Sequence, residues 1–351
     1  MKEKEKDSRI ESLISEVAQG RQAELLAEMM ETILRLGSDH AAIADLKLFN
    51  RAIRELRFAS NTFSKYQGVP KVAIFGSART GPDAAEYKLA REFAHRMVEL
   101  GYMIITGGGD GIMGAAQEGA GAQKSFGLNI RLPFEQRANE TITGDPKLIS
   151  FRYFFTRKLH FVKETHAFVL FPGGFGTHDE GFEVLTLMQT GKSSIAPIIF
   201  VDKPNGHYWE TWRRFVTNDL LEHKLISPTD LHLFKITHSV DEAIAEIEQF
   251  YRNFHSYRWV KEKMVIRIKE PLTKSALQKL NKDFDKTLKA DTIVQTTALP
   301  EESKDTHLSH YHRIVLTPDR RDFGTLRLLI DAINVAETVE CDATLVKGKK
   351  S

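Results

Sequence analysis

Apolar side chains recur at helical spacing over residues 8–64. Ile10, Leu13, Ile14 and Val17 stand three and four apart, and Leu25, Leu26, Met29, Ile33 and Leu36 continue the stripe. Gly37-Ser38-Asp39 interrupts it, a second helix is predicted to about Tyr66, and Gly68-Val69-Pro70 ends the segment with turn residues. From Lys71 the period changes. Short apolar runs at 72–75, 102–106, 128–132, 167–171 and 197–201 predict buried strands. Helices are predicted at about 83–100, 112–122, 155–165, 177–190, 207–223 and 240–254. This alternation implies a Rossmann-like α/β fold, a parallel sheet with helices on both faces.

After Trp259 the pattern changes again. Strands are predicted at 264–268, 293–298 and 313–317, with helices at 273–289 and 323–336. The order βαββα is that of a split βαβ, ferredoxin-like unit. The expected organisation is therefore an N-terminal helical segment (1–68), a Rossmann-like domain (69–258) and a small C-terminal α+β domain (259–351). Dimerisation or covering the active site is the plain role for the last of these.

Charge and cysteine content narrow the setting. The 351 residues carry 49 basic and 47 acidic side chains, a net charge of +2. That balance makes no general case for nucleic acid or membrane surface as partners. The single cysteine, Cys341, can form no internal disulfide and favours a reducing compartment. The start, Met1 to Asp7, is charged and is followed by no apolar signal-peptide region, and no long apolar run reads as a membrane span. A cytoplasmic location is expected. The 13 histidines form no His-Glu-x-x-His pattern and no Cys-x-x-Cys occurs, so no metal site is expected. No Gly-x-Ser-x-Gly elbow appears.

Three glycine-rich segments follow predicted strands, where ligands bind in open α/β sheets. In Gly76-Ser77-Ala78-Arg79, small residues including Ser77 let a ligand approach the backbone; an ordinary turn needs them equally. In Gly107-Gly108-Gly109-Asp110-Gly111, backbone N–H groups before a helix suit an anion such as phosphate. The alternative is a tight turn with close helix–strand packing. The segment is neither a Walker A loop nor a usual dinucleotide fingerprint. In Pro172-Gly173-Gly174-Phe175-Gly176-Thr177-His178-Asp179-Glu180, the glycine amides and the Thr177 hydroxyl suit a phosphate. Thr177-x-x-Glu180 also has the spacing of a capping box, in which the glutamate only satisfies the helix start. A fourth segment, Thr156-Arg157-Lys158, offers two cations for a phosphate or a sugar hydroxyl; a solvated helix face is its other reading.

Together, Gly107-Gly108-Gly109-x-Gly111-x-Met113-Gly114, Arg157-Lys158 and Pro172-Gly173-Gly174-x-Gly176-Thr177-x-x-Glu180 resemble the cytokinin-activating phosphoribohydrolases of the LONELY GUY family, over about residues 70–225. Members also carry the label lysine decarboxylase, for which this chain shows no Schiff-base lysine context. The resemblance implies a homodimer that hydrolyses the N-glycosidic bond of nucleoside 5′-monophosphates to free base and ribose 5-phosphate, with no cofactor. It gives Arg157 and Glu180 the catalytic roles, with Arg157 also keeping Glu180 ionised. It sets the 5′-phosphate against the glycine-rich helix starts and Thr177. Lys158 and Glu183 are expected to bind substrate as well. The N-terminal helices and C-terminal unit make it similar to the elongated bacterial type, which acts on general purine and pyrimidine monophosphates such as AMP. It departs from small members at Thr156, where they carry Glu, and at His178-Asp179, where they carry Leu-Glu. A non-catalytic nucleotide sensor or cofactor carrier of the same fold would use the same glycines, but would not need Arg157 and Glu180 together.

Overall fold

The computed structural model describes residues 10–132 and 137–339; Cys341 and the tail lie outside them. Two compact units divide the chain between Asn61 and Thr62. The first contains helices α1 (Arg21–Ser38) and α2 (Ile43–Ser64), the last turn of α2 running into the second unit. Within α1 the Arg21 guanidinium pairs with Glu24 at 2.7 Å, one turn on, a contact that supports an exposed helix modestly.

The second unit is built on a parallel sheet of seven strands. These are β1 (Lys71–Phe75), β2 (Met103–Thr106), β3 (Ser125–Ile130), β4 (Leu148–Phe151), β5 (Ala167–Leu170), β6 (Ile198–Val201) and β7 (Lys235–Thr237). Their order is β4-β3-β2-β1-β5-β6-β7, every neighbouring pair parallel. The five apolar runs legible in the sequence are β1, β2, β3, β5 and β6. The edge strands β4 and β7 were not anticipated: β4 is four residues with half its positions only partly buried, and β7 is three residues beginning with an exposed lysine. Neither carries the apolar run of a central strand.

Helices α3 (Ala85–Glu99), α4 (Ile112–Ala120), α5 (Phe154–Glu164), α6 (Phe175–Gln189), α7 (Tyr208–Phe215) and α8 (Val240–Phe250) cover the sheet. The predicted helix over 207–223 passes into a π-helical turn, Val216–Leu221, after α7. One core joins Val72, Ile74, Ile104 and Val169 of the sheet to Phe93, Ile112 and Ile244 of the helices, all at most 4% exposed. Each such side chain contributes about 1.5–3 kcal/mol by leaving water. Elsewhere Phe75 meets Phe161 at 4.9 Å between ring centres and Phe200 meets Trp209 at 4.5 Å, tying β1 to α5 and β6 to α7.

The chain steps outward from β1 to β4, then returns to lay β5 beside β1. Connections leaving the carboxyl ends of β1 and β5 therefore diverge and leave a crevice, the usual ligand position in such sheets. All three glycine-rich segments follow strands at this end, after β1, β2 and β5.

A second sheet contains β8 (Phe254–Val260), β9 (Lys263–Ile268), β10 (Leu288–Thr296) and β11 (His312–Pro318), in the order β10-β11-β9-β8. All its pairs are antiparallel, so β9 and β10 run parallel with β11 between them. With α9 (Lys274–Asp283) connecting β9 to β10, this is the split βαβ anticipated from the pattern, followed by α10 (Phe323–Val335). Strand β8 is an addition. It straddles residue 259, and its five middle residues are all partly exposed, which removes the apolar alternation. The two sheets are not separate bodies: Ile195 and Phe250 share a core with Met264, Ile266 and Ile330, and Arg327 pairs with Glu246.

Candidate active site

The crevice is a cleft of about 780 Å³ beyond β1 and β5, a size that suits a nucleotide. Gly76, Ser77 and Arg79 form one side, Gly173 to His178 with Glu180 another, and Arg157 with Phe161 reach in from α5.

Helix α6 begins at Phe175, with Gly174 as N-cap and no side-chain cap. This removes the capping-box alternative. Thr177 is a buried residue of the first turn and not the cap, and Glu180 does not close a capping box. Its carboxylate instead accepts a hydrogen bond from Arg157 Nη2, at 2.7 Å on Oε1. The helix start retains free donors. Among the described residues, the amides of Gly174, Phe175 and Gly176 donate to no acceptor. Aligned at the positive end of a helix of 15 residues, they favour an anion.

The three loops dock onto one another through Ser77. Its N–H donates to Pro172 O at 3.1 Å, and its carbonyl accepts from Ile112 N–H at 3.0 Å. Gly111, at φ 64°, lies so close that a Cβ there would stand 2.2 Å from Ser77 O. A Cβ on Gly173 would stand 2.1 Å from Thr177 Oγ1 and 3.0 Å from Ser77 N. These glycines thus serve close backbone approach. Of the run after β2, Gly107 reaches the cleft wall, whereas Gly108, Gly109 and Gly111 are buried outside its lining. Asn139, which sequence reasoning missed, holds the run: its Nδ2 donates to the carbonyls of Gly108 (3.2 Å) and Gly109 (2.9 Å).

Arg157 and Glu180 are nearly out of water, with side chains 12% and 6% exposed. The Arg157 guanidinium also lies 5.1 Å from the ring centre of Phe154 and 5.7 Å from that of Phe161, and its Nε is buried with no acceptor. Burial raises the Glu180 pKa above its ordinary value; the charges of Arg157 and Lys158 oppose the rise without cancelling it. Arg157 therefore favours ionised Glu180, as expected, yet burial wins. Lys158 and Glu183 stand outside the cleft lining and pair with each other. Lys158 Nζ also lies 2.9 Å from Asp179 and 3.7 Å from Glu180. Burial works against its charge, but hydrogen bonds from Nζ to Glu183 and Asp179 prevail and raise its pKa.

His178, Tyr208 and Phe175 are site residues that sequence reasoning passed over. Asp202, after β6, accepts the Tyr208 N–H at 2.8 Å and so sets the start of α7. Tyr208 then donates its hydroxyl to the Gly173 carbonyl, and His178 Nε2 lies 2.7 Å from that hydroxyl. With the tyrosine proton directed at Gly173, His178 Nε2 carries the hydrogen and donates to the tyrosine oxygen. Burial lowers the His178 pKa. Phe175 projects at the cleft mouth, 95% exposed. Only the long-range pairing of α7 with the β5 loop reveals Tyr208, and local spacing carries no trace of it. Among the described residues no cluster of His, Cys, Asp and Glu could hold a metal, and no helix is long and apolar enough to cross a membrane.

Fold and cleft define a Rossmann-like protein with a helix start of free amides beside a buried arginine–glutamate pair. Residues 113–247 match the family described as "Possible lysine decarboxylase". Two Arabidopsis thaliana proteins, each named cytokinin riboside 5′-monophosphate phosphoribohydrolase, are 24% identical over 188 residues and 22% identical over 204. The alignments cover 51% and 56% of this chain, and 83% and 88% of those proteins. A molybdenum cofactor binding protein from Rippkaea orientalis matches 52% of this chain and 97% of its own, with a TM-score of 0.36 at 19% identity. The α/β domain of this chain is similar to the LONELY GUY family.

Proposed function

We propose that this protein hydrolyses the N-glycosidic bond of nucleoside 5′-monophosphates, giving free base and ribose 5-phosphate. The observation that carries the reading is the buried Arg157–Glu180 pair beside the free amides of Gly174, Phe175 and Gly176. A phosphate seated on those amides brings the ribose to the pair. The names of the Arabidopsis relatives support the same reaction class.

In this reading the helix start and the Thr177 hydroxyl hold the phosphate and fix the sugar. The carbon–nitrogen bond breaks through an oxocarbenium-like state. Glu180, as carboxylate, stabilises positive charge at the anomeric carbon and takes a proton from the attacking water. The hydroxyl adds to that carbon, the base leaves with the bonding electron pair and takes a proton from solvent, and the proton on Glu180 returns to solvent. Arg157 holds Glu180 in place and anchors the sugar or phosphate. Lys158 and Glu183 act from behind the pair, on Glu180 and Asp179. The assembly proposed is a homodimer.

The test is a base-release assay with AMP, GMP, IMP, CMP and UMP, products separated by chromatography, and Glu180→Gln in parallel. Free base and ribose 5-phosphate from the native protein alone support the reaction. Tight monophosphate binding with no base released would overturn it in favour of a nucleotide carrier.

A further inference from the structure

A second cavity, of about 710 Å³, lies on the other side of α5, between the α/β sheet and β8. The end of α5 and the following turn supply Lys163, Thr165 and His166, and the loop after α6 supplies Lys192 and Ser193. The C-terminal sheet supplies His255, Tyr257 and Lys269. No aspartate or glutamate lines it. A walled space with three lysines and no acid carries a positive potential.

The partners of these groups leave that potential largely uncompensated. Lys163 Nζ meets Glu164 at 2.6 Å. Lys269 Nζ donates only to the Tyr251 carbonyl, and Lys192 makes no ion pair among the described residues. His255 is disfavoured as a cation by burial and then by Arg267, Lys269, His310 and Arg313, which marks the wall behind it as cationic too. Two hydroxyls in the wall, Thr165 Oγ1 and Ser193 Oγ, are buried without a hydrogen-bond partner, a condition that buried polar groups in folded proteins rarely keep. Tyr102, Tyr251, Tyr257 and Phe254 give the same cavity aromatic surface.

We propose that this cavity is a second ligand site, separate from the glycine-lined cleft, and that it takes a phosphorylated small molecule bearing a planar ring. The lysines meet the phosphate oxygens, and the aromatic wall meets the ring. The volume suits a ligand of nucleotide size.

Calorimetric titration of ATP, and of inorganic triphosphate, into the full chain tests the assignment. The comparison is native protein against the double variant Lys192→Glu/Lys269→Glu, with the neutral pair Lys192→Gln/Lys269→Gln as a second variant should charge reversal disturb folding. ATP is expected to bind the native protein saturably and the reversed variant at least about tenfold more weakly, the loss of charge-assisted hydrogen bonds. The neutral pair should fall between them. Base release from AMP should be unchanged in both variants, which separates this site from the cleft. Equal ATP affinity in native and variant proteins, or no saturable heat, overturns the site. Triphosphate binding as tightly as ATP overturns the ring's part in it. Because the readout is binding, a protein that released no base would still give a clear answer.

Discussion

Arg157 on α5 and Glu180 on α6 meet at 2.7 Å, 23 residues apart in the chain, with both side chains nearly sealed from water. Neither helix holds the contact alone. Removing the carboxylate charge while keeping its shape separates chemistry from packing. Glu180→Gln is expected to lower kcat for base release by about 10²–10⁴-fold, the usual worth of a positioned acid–base group. Circular dichroism and the melting curve should show a folded protein. Undiminished turnover would remove Glu180 from the mechanism.

The pH dependence has a definite sign. Burial lifts the Glu180 pKa, and the working form in the proposed mechanism is the carboxylate. Activity should therefore rise with pH through that raised value, placing the acid limb of kcat/KM above the ordinary glutamate range. Arg157→Ala removes the charge that opposes the rise, so the limb of its residual activity should move higher still. A limb at the ordinary carboxylate value in the native protein would show that another group controls the rate.

The glycines divide into two kinds, which substitution can tell apart. A Cβ at Gly176 meets nothing within 4 Å, and the residue sits in the first turn of α6. Gly176→Ala should therefore leave stability unchanged or raise it by up to about 1 kcal/mol through helix propensity. Its KM for AMP should rise, because the methyl group crowds a phosphate on the free amides. At Gly111, Ala faces both a positive φ and the Ser77 carbonyl, and a loss of about 1–3 kcal/mol is expected by urea denaturation. An Ala at 111 as stable as the native residue would contradict the close docking of the loops.

Much of this could be read in the chain beforehand. Central strands β1, β2, β5 and β6 are continuous apolar runs because both their faces are covered, and the glycine segments announced the ligand end. Arg157 and Glu180 were legible through motif resemblance. The resemblance also implied that Arg157 keeps Glu180 ionised, but spacing alone fitted a capping box equally well; the packing of α5 against α6 decides which partner Glu180 takes. Strands β4, β7 and β8 stayed hidden because short or half-exposed edges lack periodic apolar positions. Asn139 and Tyr208 act across 30 to 35 residues of chain on backbone carbonyls, and no local pattern encodes such a partner.

The C-terminal sheet holds a second buried charge cluster, with a structural role. Glu302 accepts from Arg267 at 2.7 Å and Arg313 at 2.9 Å, and all three side chains are at most 6% exposed. Burial alone would raise the Glu302 pKa, but hydrogen bonds from Arg313, the Leu299 amide and Arg267 outweigh it and lower the value. A carboxylate so depressed stabilises the fold above the unfolded-state pKa, and that stability is lost as pH falls through the folded-state value. Glu302→Ala should cost about 3–5 kcal/mol in chemical denaturation, because buried Arg313 then keeps only the Tyr311 and Leu308 carbonyls and Arg267 only the more distant Asp305 carboxylate. A loss under 1 kcal/mol would mean that water reaches the arginines.

Ser77 joins three loops by backbone contacts alone: its amide to Pro172, its carbonyl to Ile112, and its peptide against Gly111. Contacts of that kind hold the loops in register before any nucleotide arrives. In the proposed reaction the ligand enters a finished mould, and little of its binding energy is diverted to ordering protein segments. The entropy of shaping the cleft is settled when the chain folds and is not charged again at each turnover.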